Sequence, residues 1–231
     1  MSNSQIKYSF IIPCYNEGRS LQILINEINS LLFRADIEFI LVDNGSTDDT
    51  NELLNQFLNE NIVKVSLLEN AGYGGGIKAG LVKARGEFLG WIHADLQYSL
   101  TEVISHLNKI PSGVKYIKGK RRGRSIFQNF ISLNMSIIES FLFKHVLYDI
   151  NAQPTIFHKD LYKNLSNLPN DFSIDLYSYV VAKKTGAKIS RFEVNFLKRK
   201  YGNSSWNTGF KSLVTMSVRT LKYSIDLRRN F

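Results

Sequence analysis

The stretch of sequence that decides the fold is residues 86–100, GEFLGWIHADLQYSL. It begins with a short apolar run at residues 88–92, which is typical of a buried β-strand. The sequence then changes abruptly, because His93, Asp95 and Gln97 follow at alternate positions. Alternate side chains of an extended segment point the same way. We therefore expect these three polar groups to face one site at the end of a strand.

Three earlier segments repeat this pattern of an apolar strand followed by a polar turn. The predicted strands are residues 8–12, 37–42 and 62–68, and the turns after them read PCYNEG, DNGSTDD and ENAGYGGG. Helical spacing of apolar residues follows each turn, at residues 20–33, 46–58 and 77–83. This alternation predicts an α/β fold, a mostly parallel sheet flanked by helices. Ligands of such sheets bind beyond the carboxyl ends of the strands, so we expect all four turns to converge there.

The second half of the chain has a looser pattern. We predict strands at residues 115–118 and 188–196, the latter antiparallel or at an edge, and helices at residues 126–147, 171–185 and 210–227. The last helix has apolar residues on one face and Lys and Arg elsewhere, which makes it amphipathic and basic. We expect residues 1–206 to form the main domain and residues 207–231 an appended helix that contacts a membrane surface or another subunit.

Composition limits the classes of function. The 231 residues are 44% hydrophobic and carry a formal net charge of +9, so the chain can bury a core and favours polyanionic partners. Cys14 is the only cysteine, which excludes an intrachain disulfide and fits a reducing compartment. No uninterrupted apolar run reaches the ~18 residues of a spanning helix. We therefore expect a cytoplasmic protein whose basic clusters, residues 115–125 and 188–206, contact phosphates or an anionic membrane surface rather than nucleic acid.

Six motifs occur in a characteristic order: FIIPCYNE, LVDNGSTDDT, ENAGYGGGIKAGLVKARGEFLGWIHADLQ, KGKR, DINAQPTIF and RKYGNSS. Together they resemble glycosyltransferases of family 2, which have the Rossmann-like GT-A fold, and most closely the dolichyl- or polyprenyl-phosphate sugar synthases. The resemblance extends over residues 8–205. It implies an inverting, metal-dependent transfer of a sugar from a UDP- or GDP-linked donor to a polyprenyl phosphate. The apolar helix at residues 126–147 and the basic C-terminal helix favour peripheral attachment at the inner face of the membrane, and the alternative is that they pack in the core or at a dimer interface. A homo-oligomer or a membrane partner chain also stays open.

The resemblance also implies roles for individual residues on the donor side. The nucleotide would contact Pro13, Tyr15, Glu17, Asp43, Asn70, Gly74, Lys78 and Asp95. A Mg²⁺ or Mn²⁺ ion that bridges the diphosphate would be held by Asp95, Gln97 and His93. The family has an aspartate where this chain has His93, and imidazole can ligate Mn²⁺ but brings no negative charge. The resemblance therefore implies a metal site with one negative charge fewer than that of the family.

On the acceptor side, arginine forks suit phosphate oxygens. Arg121 lies in the KGKRRGR cluster, and Arg199 lies in RKYGNSS beside Ser204 and Ser205. A phosphate acceptor is already a nucleophile near neutral pH and needs charge neutralisation. A sugar hydroxyl, in contrast, needs a general base. Asp175 is the candidate for that base, and the alternative is that Asp175 lies on a helix surface.

Other functions stay open on the sequence alone. The acceptor could be a saccharide hydroxyl of a surface polysaccharide. GYGGGIKA fits a dinucleotide fingerprint, which makes an NAD-type dehydrogenase a rival, although the fingerprint normally follows the first strand. A non-catalytic basic binding module is a further rival, although a carboxylate-rich edge would repel phosphate without a cation. His93 also leaves open a degenerate transferase that binds its ligands and turns over slowly.

Overall fold

The computed structural model describes residues 5–199, 201 and 210–229. Seven strands form one sheet in the order β3-β2-β1-β4-β6-β5-β7. The strands are β1 (Tyr8–Cys14), β2 (Ile37–Asn44), β3 (Ile62–Leu67), β4 (Phe88–Trp91), β5 (Tyr116–Arg122), β6 (Thr155–His158) and β7 (Ile189–Asn195). The helices are α1 (Gly18–Leu31), α2 (Thr50–Asn55), α3 (Tyr73–Leu81), α4 (Leu100–Leu107), α5 (Ile126–Phe143), α6 (Lys159–Tyr162), α7 (Ile174–Lys184) and α8 (Phe210–Arg229).

The first half of the sheet confirms the predicted parallel arrangement. Strand β1 pairs in parallel with β2 and β4, and β2 pairs in parallel with β3. Successive residues of β1 point to opposite faces, so Phe10 and Ile12 enter one apolar core and Ile11 enters the other. Both faces are covered, which explains why these strands read as continuous apolar runs. The carboxyl ends of β1 to β4 consequently meet at one edge.

The second half differs from the sequence-based expectation in its pairing. Strand β6, for which we predicted no strand, lies antiparallel between β4 and β5. Strand β7 is at the edge, as expected, but pairs in parallel with β5. Strand β5 continues to Arg122, so much of the predicted basic loop is strand. Lys118, in the first half of this strand, is fully buried within the sheet.

Helix α5 lies against α8. A capping box formed by Ser125 and Gln128 begins α5, and Lys144 in the left-handed conformation ends it. The Ser224 hydroxyl of α8 donates to Glu139 of α5 at 2.6 Å. Of our predictions for the C-terminal region, Ser204, Ser205 and the domain boundary after residue 206 lie outside the described residues.

Helix α5 also bears on the expected contact with a membrane. By length and composition it qualifies as a membrane span, with a mean hydropathy of 1.2 and 17% of its residues buried. In the sequence, its polar residues interrupt every long apolar run. These residues are spread along the helix, so its mean hydropathy only just reaches that of a candidate span.

Candidate active site

The turns after β1 and β2 are joined by hydrogen bonds, as their predicted convergence requires. The backbone amide of Asn16 donates to the Ser46 hydroxyl at 3.1 Å, and that of Glu17 donates to Thr50 at 2.9 Å. Asp48 accepts from the Gly18 amide at 3.2 Å. These bonds fix the two turns as one wall of a site.

Asn44, at the end of β2, joins the second turn to the third. Its side-chain amide donates to the Gly72 carbonyl at 3.0 Å, and its side-chain oxygen accepts from the Ala71 amide at 3.1 Å. Asn70 accepts from the Gly72 amide at 2.8 Å. Asn44 was not among the predicted site residues, although its position directly after Asp43 in the predicted turn could have indicated a role.

The glycine-rich start of α3 is closed by the backbone of residues 169–171. The Asn170 carbonyl accepts from the Gly75 amide at 3.1 Å, and a Cβ on Gly74 would lie 2.2 Å from the Pro169 carbonyl oxygen. These glycines therefore permit close packing of two backbone segments. A pyrophosphate would need that helix N-terminus to be open, so the geometry does not support the dinucleotide-binding alternative.

Six of the eight residues expected to contact the nucleotide lie in or beside these turns, whereas Gly74 is covered by residues 169–171 and Lys78 lies within α3. Asp43 is 3% exposed and accepts from the Ser46 amide at 3.0 Å. Tyr15 is exposed. Pro13 lies near the end of β1, Asn70 lies in the turn after β3, and Lys78 lies in α3. The structure thus brings the turns that carry these residues to one end of the sheet.

Glu17 pairs with Arg199, which returns from the segment after β7. The Arg199 guanidinium donates to Glu17 Oε1 at 2.6 Å. Burial raises the pKa of Glu17, and the negative charge of Asp95 raises it further, while the Ser20 hydroxyl and Arg199 oppose the shift. The predicted phosphate-binding residue Arg199 is therefore bound to a carboxylate of the first turn.

His93, Asp95 and Gln97 follow β4, and they alternate with the buried residues Ala94 and Leu96. The alternation is as expected, but the backbone bends, and Leu96 adopts a φ of 59°. Non-glycine residues with positive φ are uncommon and concentrate at functional sites. His93 stacks on Tyr73 at 4.8 Å between ring centroids, and its Nε2 lies 3.4 Å from the Tyr73 hydroxyl.

The expected metal ligands fit a divalent ion in part. Asp95 Oδ1 accepts from the Gln97 amide, and the Gln97 side-chain nitrogen donates to the Leu197 carbonyl. Asp95 Oδ2 and Gln97 Oε1 remain as hard oxygen ligands, which Mg²⁺ and Mn²⁺ prefer. In the described part of the chain no cluster of three His, Cys, Asp or Glu could hold a metal ion. The donor diphosphate would have to complete such a site, as is common for Mg²⁺.

Asp175 is buried at the start of α7, which excludes the helix-surface alternative. It is 1% exposed. Its carboxylate accepts from the Trp91 indole at 3.2 Å, the Thr155 hydroxyl at 2.7 Å and the Gln153 amide nitrogen at 3.2 Å. It also pairs with the Lys118 ammonium at 3.2 Å. Four donors therefore occupy the carboxylate that we considered as a general base.

Arg121 and Arg124 line two adjoining cavities under α5. Arg121 Nε donates to Asp149 Oδ1 at 2.7 Å, and Arg124 donates to Ser132 at 2.8 Å. Burial alone would raise the pKa of Asp149, but the charge and hydrogen bonds of Arg121 outweigh it and hold that pKa below its usual value. The cavities measure about 200 and 390 Å³. Asp149, with a φ of 45°, was present in the DINAQPTIF motif but received no role from the sequence.

Comparison with known proteins gives consistent findings. The model of the family described as glycosyl transferase family 2 matches residues 9–164. The undecaprenyl-phosphate 4-deoxy-4-formamido-L-arabinose transferase of Yersinia enterocolitica is 35% identical over 140 residues, which cover 57% of this chain and 43% of that protein. Its Yersinia pestis counterpart is 34% identical over 141 residues, with the same coverage. The chain thus spans less than half the length of these relatives.

Solved structures share the fold. Glucosyl-3-phosphoglycerate synthase from Mycobacterium tuberculosis, in complex with Mn²⁺, UDP and glucosyl-3-phosphoglycerate, superposes with a TM-score of 0.74 at 18% identity, covering 96% of this chain and 79% of that one. Its complex with Mg²⁺ and UDP gives a TM-score of 0.73 at 19% identity, with the same coverage. The predicted GT-A fold is thereby confirmed.

Proposed function

The chain belongs to glycosyl transferase family 2, and on that premise we propose that it transfers a sugar from a nucleotide-sugar donor to a polyprenyl phosphate, with inversion. The observation that carries the choice of acceptor is the environment of Asp175. A general base must reach the proton that it removes. Asp175 is 1% exposed and bound to four donors, one of them a lysine. This favours an acceptor that needs no base, namely a phosphate.

The two arginines under α5 supply the second requirement of a phosphate acceptor, charge neutralisation. Arg121 and Arg124 line both cavities. Arg124 Nε is buried without a hydrogen-bond partner among the described residues, and such a donor is unusual in a protein interior. We assign the acceptor phosphate to this region, next to the exposed apolar side chains of α5. The related Yersinia transferases are named for a polyprenyl-phosphate substrate, which agrees with this assignment.

On the donor side, the turns after β1 to β4 would hold the nucleotide, with Asp95 and Gln97 offering oxygens to a divalent cation. A bound cation supplies Lewis-acid stabilisation of the negative charge on the departing nucleoside diphosphate. Lys78 adds positive charge on α3. The solved structures that share the fold contain UDP with Mn²⁺ or Mg²⁺, so we use these ions in the test below.

The same surface suggests where the enzyme works. Seven large apolar side chains of α5 are exposed: Ile126, Phe127, Phe130, Leu133, Ile137, Ile138 and Phe141. Their spacing of three and four residues places most of them on one face. Arg122 precedes the helix, and the exposed Lys144 follows it. An apolar face with flanking cations suits peripheral attachment to an anionic membrane.

A product assay tests the proposal. The protein is incubated with UDP- and GDP-linked sugars, Mn²⁺ or Mg²⁺, and either short polyprenyl phosphates, short saccharides or phosphoglyceric acid, the compound bound in related structures. Mass spectrometry identifies the product. We expect sugar on the polyprenyl phosphate and the nucleoside diphosphate as the second product. Transfer to a saccharide hydroxyl or to phosphoglyceric acid, with none to the lipid, would overturn the acceptor assignment.

A further inference from the structure

Phe196, the residue directly after β7, lies beside both arginines of the proposed acceptor site. The guanidinium carbon of Arg121 is 5.7 Å from the centroid of the Phe196 ring, and that of Arg124 is 6.0 Å from it. A cation within about 6 Å of the centroid of an aromatic ring is attracted by the negative face of the ring. Phe196 itself is not among the described residues that line the two cavities. It therefore acts on a bound phosphate only through the arginines.

The two arginines need such a partner because their charges repel each other. Arg121 pairs with Asp149, whereas Arg124 Nε is buried without a hydrogen-bond partner among the described residues. Burial lowers the pKa of Arg124, and the positive charge of Arg121 lowers it further. An aromatic face stabilises this excess of positive charge. Unlike a second carboxylate, it does so without adding a negative charge that would repel a phosphate.

The neighbours of Phe196 fix its position and link it to the donor side. Its amide donates to the Arg122 carbonyl at 2.9 Å, which continues the pairing of β7 with β5. Its ring packs edge-on against the buried Tyr98, at 5.4 Å between ring centroids. The next residue, Leu197, donates its amide to the Gln97 carbonyl at 2.9 Å and accepts from the Gln97 side-chain nitrogen at 3.2 Å. One short segment thus contacts the acceptor arginines and the proposed cation ligand Gln97.

We propose that Phe196 is a positioning residue of the acceptor site, whose ring holds the guanidinium groups of Arg121 and Arg124 together before the acceptor phosphate binds. Donors that are already in place lose less conformational freedom on binding, so the affinity for the phosphate rises. Because the same segment is bonded to Gln97, the phosphate is also held at a fixed place relative to the donor, which favours reaction. The identity of the phosphate rests on the proposed function.

Binding of phosphates to ring variants tests this role. Inorganic phosphate and farnesyl phosphate are titrated by calorimetry, without nucleotide, into the unmodified protein and each variant. Phe196→Leu should weaken the binding of both roughly tenfold, because the cation–π contacts are lost. Phe196→Tyr retains the aromatic face and should bind within about threefold of the unmodified protein.

Phe192→Leu is the matched control for these titrations. Phe192 lies on β7 and is partly buried against the same core as Phe196, but its ring stacks on His106. We expect its phosphate affinity to equal that of the unmodified protein. Equal losses in Phe192→Leu and Phe196→Leu, or no loss in Phe196→Leu, would overturn the proposal.

Fluorinated phenylalanine at position 196 separates the charge of the ring face from the shape of the ring. Fluorine withdraws electrons from the face, and it changes the size of the ring little. Each added fluorine should therefore weaken phosphate binding further while the melting temperature stays nearly constant. An affinity that fell in Phe196→Leu but did not respond to fluorination would show a packing role only, and it would also overturn the proposal.

Steady-state kinetics gives a second readout that a general loss of stability would not reproduce. In the product assay, Phe196→Leu should raise the KM for the polyprenyl phosphate about tenfold and leave the KM for the nucleotide sugar within about twofold. The reason is that the bonds between Leu197 and Gln97 do not involve the Phe196 ring. An equal rise in both KM values would contradict a role confined to the acceptor site.

The measurements distinguish failure of this inference from failure of the proposed function. If phosphate binding depends on Phe196 but the unmodified protein forms no lipid-linked product, only the acceptor assignment fails. If the lipid-linked product forms and Phe196→Leu binds both phosphates normally, only the positioning role of Phe196 fails. If the unmodified protein binds neither phosphate, both fail.

Discussion

Lys118 shows how one residue is defined by its surroundings. It is 0% exposed in β5, and its ammonium contacts Thr155 Oγ1 at 2.7 Å and Asp175 Oδ1 at 3.2 Å. Burial lowers the pKa of Lys118 to about 8, and the charge of Asp175 limits that shift. Each of these charges compensates the other in an interior where an isolated ion is costly. Asp175 also contacts the Gln153 side-chain nitrogen, which in turn contacts the Tyr73 hydroxyl.

Replacing Lys118 with Met should lower the free energy of unfolding by about 3–5 kcal/mol, because Asp175 would remain buried without its cation. Urea unfolding at pH 7 measures the change. Lys120→Met is the matched control, since Lys120 is on the same strand but its side chain is 46% exposed and paired with Glu193. We expect less than about 1 kcal/mol for the control. Equal losses in the two variants would contradict the role of the buried pair.

At the scale of elements, the contact between α5 and α8 contains a buried carboxyl. Glu139 is 0% exposed and accepts from the Ser224 hydroxyl. Burial raises the pKa of Glu139 to about 7, and the hydrogen bond from Ser224 opposes the shift. A raised pKa means that the folded protein binds the proton more tightly than the unfolded chain does. The packing of the two helices is therefore sensitive to pH.

The sign of this effect follows from the linkage between proton binding and folding. The stabilisation by protonated Glu139 is fully present below the unfolded pKa of about 4.3 and is lost as the pH rises through about 7. Relative to a Glu139→Gln variant, the unmodified protein should therefore lose roughly 2–3 kcal/mol of stability between pH 5 and pH 8. Urea unfolding at both pH values measures this difference.

The control for this prediction is Glu52→Gln, because Glu52 is exposed on α2. This variant should follow the pH dependence of the unmodified protein. If Glu139→Gln also followed it, the carboxyl would not be buried between the helices as the structure indicates.

At the scale of the whole molecule, the exposed apolar residues are concentrated on the side that carries the proposed acceptor site. Phe127, Phe130 and Phe141 are 57%, 63% and 89% exposed on α5. The cavities that contain Arg121 and Arg124 open beside the same helix. A membrane on this face would present a lipid phosphate to these arginines while the chain of the lipid stays among apolar groups.

Replacing Phe127, Phe130 and Phe141 with Ser should reduce binding to vesicles of anionic phospholipid at least about 100-fold, because each phenylalanine gains on the order of 1.5–3 kcal/mol when fully buried. Co-sedimentation with vesicles measures the partitioning. The control replaces three exposed apolar residues outside α5, Phe33, Leu68 and Val82, with Ser in the same way. This variant should change vesicle binding less than about twofold. Similar losses from both sets would argue against α5 as the membrane-binding surface.

Much of this architecture is encoded locally. The apolar runs of β1 to β4 and the helical spacing between them predict a parallel sheet, because strand and helix periodicities are properties of neighbouring residues. The polar turns after those strands predict the edge at which Asp43 and Asp95 lie, since parallel strands with helical crossovers end on the same side. The family resemblance of the ordered motifs added roles for these residues.

The sequence alone therefore determined the fold class, the edge of the sheet that carries the site and most of the residue types found there. Only the tertiary structure decided that β6 lies between β4 and β5, that Asp175 is buried against Lys118 and that Arg121 pairs with Asp149. These features join residues that are distant in the chain, and no local periodicity specifies such partners. The surroundings of His93 depend on the same kind of long-range contact, because its neighbour Tyr73 also contacts Gln153 from the second half of the molecule.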